Sequence, residues 1–249
     1  MKKFSVLVLL VLSSVALYAQ PIAETHPSVV ASTSWTAAFA DLGGLDGVRS
    51  IAPANLVHPP EYEITVNDVV AINKADYFLY AGYERMMQSM GSSIKKDAAS
   101  LIKIETDNSI ANVTKQAEYI ASLLGTEVQS KQRVDSYRAV IEQGKALVHQ
   151  AGLDQLPVYC HAMQMYLAKD LGLQVAGTFG PGPISAKQIA EAAKGGYAII
   201  IDNFHNPIAS VLLSVSPKSK LVVWRNFPDR EGRGSLEAMV KQNIDALLQ

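Results

Sequence analysis

Short apolar runs of strand length alternate along the chain with longer stretches in which apolar residues recur every three or four positions. In the first part, "VVAST" (29–33) leads into "WTAAFADLGG", and "DYFLYAG" (76–82) follows "TVNDVVAINKA", where Thr65 can cap a helix with Asp68 three residues on. "SLIKIET" closes this group. A second group begins at "LPVYCH" (156–161) and runs through "AMQMYLAKDLG", "LQVAGTFG", "SAKQIAEAAKGG", "YAIIID", "NPIASVLLSV", "KLVVW" and "SLEAMVKQNIDALL". Ser185 and Gln188 repeat the capping spacing. An α/β pattern is thus written twice. Between the groups, residues 109–151 keep helical spacing over "SIANVTKQAEYIASLLG" and the long, mixed-charge "EVQSKQRVDSYRAVIEQGKALVHQAG", with only Gly125 and Gly144 as strong breakers. The second stretch reads as a rigid strut. The expected organisation is an amino-terminal α/β lobe over 21–125, a connecting helix over 126–152 and a carboxy-terminal α/β lobe over 153–249, with a ligand cleft between the lobes. Ligands of open α/β sheets bind beyond the carboxyl ends of the strands, so residues just after strands are the first candidates.

The leading residues set the compartment. "MKK", the apolar "FSVLVLLVLSSVAL" and the small-residue exit "ALYAQ" have the layout of a secretory signal peptide over 1–20, with a mature start near Gln20 or Pro21. The apolar run is short for a bilayer span, and no cysteine stands at the exit to carry a lipid. A soluble periplasmic protein is expected, and the single cysteine, Cys160, excludes an internal disulfide. With 49% apolar and 18% charged residues the chain can bury a sizeable core, and a net charge of −1 leaves no cationic excess for nucleic acid. Neither a low-complexity tract nor a short repeat is present.

Chemistry-bearing side chains are few. His58 lies in "ANLVHPPEYEITVNDVV" ahead of Pro59 and Pro60, so its backbone should be extended and its ring should project from a loop, with Glu61 and Glu63 able to orient it by accepting its free N–H. Its alternative is a solvated loop histidine. His161 ends a buried strand where clefts form; its alternative is a hydrogen-bonded core histidine. Cys160 points to the opposite face, so the two form neither a nucleophile–base pair nor a chelate, and a buried inert thiol is expected. "IIIDNFHNP" places Asp202 and His205 three residues apart after another strand, where both could face one ion, or where Asp202 or Asn203 could cap the helix beginning near Pro207. His26 lies near the mature terminus, and His149 sits late in the connecting helix, solvated. The methionines of "GYERMMQSM" and "CHAMQMY" read as core rather than as soft-metal ligands. "GTFGPGPIS" reads as a hinge-side turn, since its prolines lack the N–H donors of a phosphate cradle. Gly-x-Ser-x-Gly, His-Glu-x-x-His and Walker patterns are absent from the sequence.

The order "VVASTSWTAAFADLGG", "PPEYEITVNDVVAINKADYFLYAGYE", "VYCHAMQMYLAKDLGLQVAG", "IIIDN" and "SLEAMVKQNIDALL" resembles the zinc and manganese solute-binding proteins of ABC importers over nearly the whole mature chain. The second and third stretches carry the most specific likeness. The resemblance implies two lobes bridged by a long helix, one metal ion in the cleft held by three histidines and a carboxylate or by two of each, and delivery to an ABC importer permease in the inner membrane. This chain departs from that pattern. The family's first histidine falls on Pro60, two residues after His58; its second falls on Asp107 or Asn108; its third matches His161; and its aspartate falls on Asn226 or, displaced, Asp229.

The ligand set that follows is His58, His161, His205 and Asp202, with Asp229, Asn226, Asp107 or a glutamate as alternatives for the fourth position. Zinc is the expected ion, then manganese or iron(II), because imidazoles favour zinc and added oxygens shift the preference. A monomer that is not an enzyme is expected. The alternatives are a metal-free relative that holds another ligand or acts as an adaptor, and, further off, a cleft hydrolase.

Overall fold

The computed structural model of the chain describes residues 27–249. The leader and His26 lie outside them. Two four-stranded parallel sheets carry the fold. The first is formed by β1 (Val29–Ala31), β2 (Arg49–Ser50), β3 (Tyr77–Tyr80) and β4 (Leu101–Lys103) in the order β2-β1-β3-β4. The second is formed by β5 (Pro157–His161), β6 (Gln174–Phe179), β7 (Ile199–Asn203) and β8 (Lys220–Trp224) in the order β6-β5-β7-β8. The strand order reverses between β1 and β3 and between β5 and β7, so each lobe has its switch point beside its central strands.

Helices α1 (Ser34–Leu42), α2 (Val66–Lys74), α3 (Arg85–Met90) and α4 (Ile110–Leu124) belong to the first lobe, and α6 (Met165–Asp170), α7 (Ala186–Lys194), α8 (Ser210–Val215) and α9 (Ser235–Leu248) to the second; α5 (Glu127–Gln150) runs between them. Both capping boxes expected from sequence form, Thr65 with Asp68 and Ser185 with Gln188. A third forms where Thr36 stands in for the usual acid, its hydroxyl accepting the Thr33 N–H. Along α5, Gly144 is required by contact. A β-carbon there would lie 2.4 Å from Ile244 of α9 and 2.8 Å from Leu171, so the absence of a side chain lets the strut seat against the second lobe.

One apolar cluster continues through both lobes, from Trp35 and Phe39 of α1 through Tyr137 and Ile141 of α5 to Trp224 and Leu236. Such a joint has the character of a core rather than of a wet hinge. Polar contacts reinforce it: Ser34 Oγ donates to the Pro228 carbonyl at 2.7 Å, and the Ser50 N–H and hydroxyl both donate to Glu231 Oε1 at 2.7 and 2.5 Å. Arg133 of α5 ties Asp41 and Asp46 at 2.8 Å each. Among the described residues no helix is long and apolar enough to cross a membrane.

Cys160 is fully buried in β5, and burial pushes its thiol pKa up. Since the thiolate is the reacting species, a disulfide reagent should label no thiol in the native protein and one per chain after unfolding. Rapid labelling of the native form would show that β5 is open to solvent.

Candidate metal centre

The switch point of the second lobe is organised by Asp202, at the end of β7. Its carboxylate accepts the N–H groups of Asn203 (2.8 Å), Ile208 (3.3 Å) and Ala209 (3.0 Å), holding the turn that leads into α8. Asn203 Oδ1 then accepts the His205 N–H at 3.0 Å, an Asx turn that points the imidazole across the cleft. Asp202 therefore serves the backbone, the capping alternative recognised in the sequence.

His205 is 6% exposed. Its Nδ1 lies 2.7 Å from the carbonyl oxygen of Val57, in the opposite lobe. A carbonyl can only accept, so the proton is on Nδ1 and the lone pair is on Nε2. That second nitrogen is buried and no hydrogen bond to it meets the geometric limits, while the Phe227 backbone lies close enough to favour the protonated ring. Burial pushes the His205 pKa down to about 4, so the ring is neutral at neutral pH. A neutral imidazole with its N–H anchored on a carbonyl and its other nitrogen unengaged is the form that ligates a metal.

Val57 immediately precedes His58, so the same contact brings the two histidines to one place. His58 is exposed and begins the short turn Pro59–Glu61, as expected for a loop ring held by prolines. A cavity of about 350 Å³ is lined by His58, Glu61, Asn203, His205, Asn206 and Asn226, with Pro60, Tyr83 and Met163 on its wall. Asn226 is 1% exposed, and its Oδ1 has no partner. Glu63 does not border the cavity.

His161 is placed differently. It is fully buried, its Nδ1 accepts the Met163 N–H at 3.1 Å, and its Nε2 faces the Asn206 amide nitrogen at 3.4 Å. Both neighbours are N–H donors and a neutral imidazole accepts only one of them, so either the Met163 N–H or the Asn206 amide engages its single lone pair. His161 does not border the cavity. Burial lowers its pKa, partly offset by Asp202. The four residues singled out in the sequence are thus divided: His58 and His205 line the cleft, while His161 and Asp202 lie behind it. Among the described residues no three histidine, cysteine, aspartate or glutamate side chains come together to hold one ion.

The remaining candidates are structural. Asp107 caps α4 through Ser109, at 2.9 Å to its N–H. Asn108 accepts the Trp35 indole N–H at 2.8 Å, and its carbonyl accepts the Tyr137 hydroxyl at 2.6 Å. Asp229 is exposed and outside the cavity. Sequence reasoning missed Glu84, which is fully buried at the first lobe's switch point and accepts the Ala81 and Gly82 N–H groups at 2.8 and 2.6 Å and the Ser32 hydroxyl at 2.5 Å. The glutamate of "AGYE" was its only signal.

No family model matches the chain, and no curated protein matches it in sequence. Solved structures do match. FpvC of Pseudomonas aeruginosa, in complex with Mn²⁺, is 17% identical with a TM-score of 0.67, covering 89% of this chain and 97% of its own. The laminin-binding protein Lmb of Streptococcus agalactiae, described as a bifunctional protein with adhesin and metal-transporting activity, is 19% identical with a TM-score of 0.66 over 90% and 98%. A periplasmic metal-binding protein of Candidatus Liberibacter asiaticus is 16% identical with a TM-score of 0.64 over 88% and 97%. The chain shares their fold. The two-lobed α/β architecture expected from the sequence is therefore also that of solved solute-binding proteins, matched over almost their whole length.

Proposed function

We propose that the chain is a periplasmic solute-binding protein, not an enzyme, that captures a divalent transition metal in its interlobe cleft for an ABC importer permease. The observation that carries this reading is His205: buried, neutral, anchored through Nδ1 and without a geometrically formed hydrogen bond at Nε2. His58 supplies the second imidazole from the other lobe. The Asn226 side-chain oxygen and Glu61 are further donors among the residues that line the cavity. Imidazole ligands favour zinc, with manganese or iron(II) next as oxygens fill the remaining positions. FpvC, which has been solved with Ni²⁺ and with Mn²⁺, lends this reading support through its shared fold.

A second reading, a relative without metal, is favoured by Pro60 and Asn226 at the positions of family ligands and by the lack of a converging triad among the described residues. Calorimetric titration of chelator-stripped mature protein with Zn²⁺, Mn²⁺ and Fe²⁺ separates the two. One saturable ion per chain is expected, tightest for Zn²⁺. No saturable heat with any of the three would leave the metal-free reading.

A further inference from the structure

The cleft offers an ion two imidazoles and little else that is charged. A zinc ion takes four or five ligands, so two or three positions fall to amide oxygens, to water or to donors that arrive with the ion. A second cavity of about 780 Å³ adjoins the first; Tyr83 and Met163 border both. Its other walls present Lys103, Lys115 and Tyr119, with Glu105 as the one carboxylate among them. The two tyrosines are 44% and 45% exposed, and Thr106 donates to the Tyr83 hydroxyl at 3.2 Å. Lys103 pairs with no carboxylate among the described residues. Its stem lies over the backbone of Gly82, where a β-carbon would come within 2.7 Å of Cε and where φ is +94°, so glycine is what lets the lysine lie in the groove. Lys115 makes only a surface pair with Glu105 at 3.4 Å, of the kind that binds weakly and exchanges readily.

We infer that the cleft takes its metal as a complex with a small anionic aromatic chelator, the ion on His58 and His205 and the chelator lying across Tyr83 and Met163 toward Lys103 and Lys115. This rests on the metal reading above and names its substrate class. The chelator brings the donors that the protein lacks, its carboxylates or phenolates meet the two lysines, and its ring stacks on the tyrosines. A groove of this size suits an organic molecule, since small-molecule sites span about 300–1,000 Å³. A bare ion would leave it unused.

The test uses the mature protein with three probes: Zn²⁺ alone, dipicolinate alone, and the 1:1 Zn²⁺–dipicolinate complex, whose three donors leave positions for two imidazoles. The complex should bind at least tenfold tighter than either component. The double variant Lys103→Glu/Lys115→Glu should lose that gain while binding Zn²⁺ alone as wild type does. Because both side chains are at the surface, its melting temperature should stay close to wild type, and the neutral Lys103→Gln/Lys115→Gln variant should show a smaller loss of the same kind. If Zn²⁺ binds and the complex binds no tighter, the chelate inference is overturned and the metal reading stands. If dipicolinate alone binds as well as the complex, or the double variant keeps the gain, the inference is overturned also. If neither Zn²⁺ nor the complex binds, the metal reading falls with it.

Discussion

Replacing His205 with alanine should weaken Zn²⁺ binding by two orders of magnitude or more, a loss of about 3 kcal/mol. The side chain removed carries, among the described residues, the one buried imidazole nitrogen for which no hydrogen bond meets the geometric limits. Its Nδ1–H bond to Val57 also spans the lobes, so the same change loosens the loop that presents His58. His58→Ala should cost at least tenfold in affinity with almost no change in melting temperature, because an exposed loop ring packs against little core. His161→Ala should show the opposite pattern. It opens a cavity in β5 and strands the Met163 N–H, which should cost about 2–4 kcal/mol of stability while affinity stays within a few-fold. Titration and thermal melting of the three variants give the comparison. Affinity lost in His161→Ala and retained in His205→Ala would move the site behind the cleft.

Arg133→Ala is expected to be the most destabilising single change in the connecting helix. Arg133 is 6% exposed; its Nη1 donates to Asp41 Oδ1 and to the carbonyls of Asp41 and Leu45 at 2.8, 2.9 and 2.7 Å, and its Nη2 donates to Asp46 at 2.8 Å. Asp41 is 5% exposed. Burial raises its pKa, opposed by the Gly234 N–H and by Arg133 itself. Without the guanidinium this buried carboxylate keeps only the weaker attraction of Arg233, and breaking a buried pair in this way costs about 3–5 kcal/mol. For a domain of this size that is a fall of roughly 10 °C in melting temperature. Arg133→Lys should recover little, since one ammonium cannot reproduce the planar fork that reaches both aspartates. The damage should also reach the site. Asp41 Oδ2 accepts the Gly234 N–H at 2.9 Å, anchoring the end of the loop that carries Asn226 and Phe227. A melting temperature within a degree or two of wild type would mean that the pair contributes nothing net.

Much of the architecture was legible because it rests on periodicity and local capping. The second lobe's order of strands and helices follows the apolar runs from "LPVYCH" to "SLEAMVKQNIDALL", and two of the helix starts were written in the spacing of Thr65 to Asp68 and Ser185 to Gln188. What escaped was too short to carry a period. β2 is two residues long, and α3, over Arg85–Met90, declares itself only through Met86 and Met90, buried four residues apart.

The site was less legible, for a reason of a different kind. Whether His161 is a ligand or a core ring depends on where the Met163 N–H points, and whether Asp202 is a ligand or a cap depends on the N–H groups of residues 208 and 209. These are backbone facts with no side-chain signature. The same holds for the Val57 carbonyl, 148 residues from His205 in sequence, which turns an ordinary loop histidine into an oriented, neutral one. The Asn203-x-His205 spacing did hold a readable signal, since an Asx turn presents the residue two positions on.

The most direct test of His205 as the ligand is anomalous diffraction at the zinc edge from crystals of the metal-loaded protein. One peak is expected between the lobes, about 2.0–2.1 Å from His205 Nε2 and on the His58 side of the ring. A peak beside His161 and Asp202 with His205 still unengaged, or no peak in saturated crystals, would contradict the account.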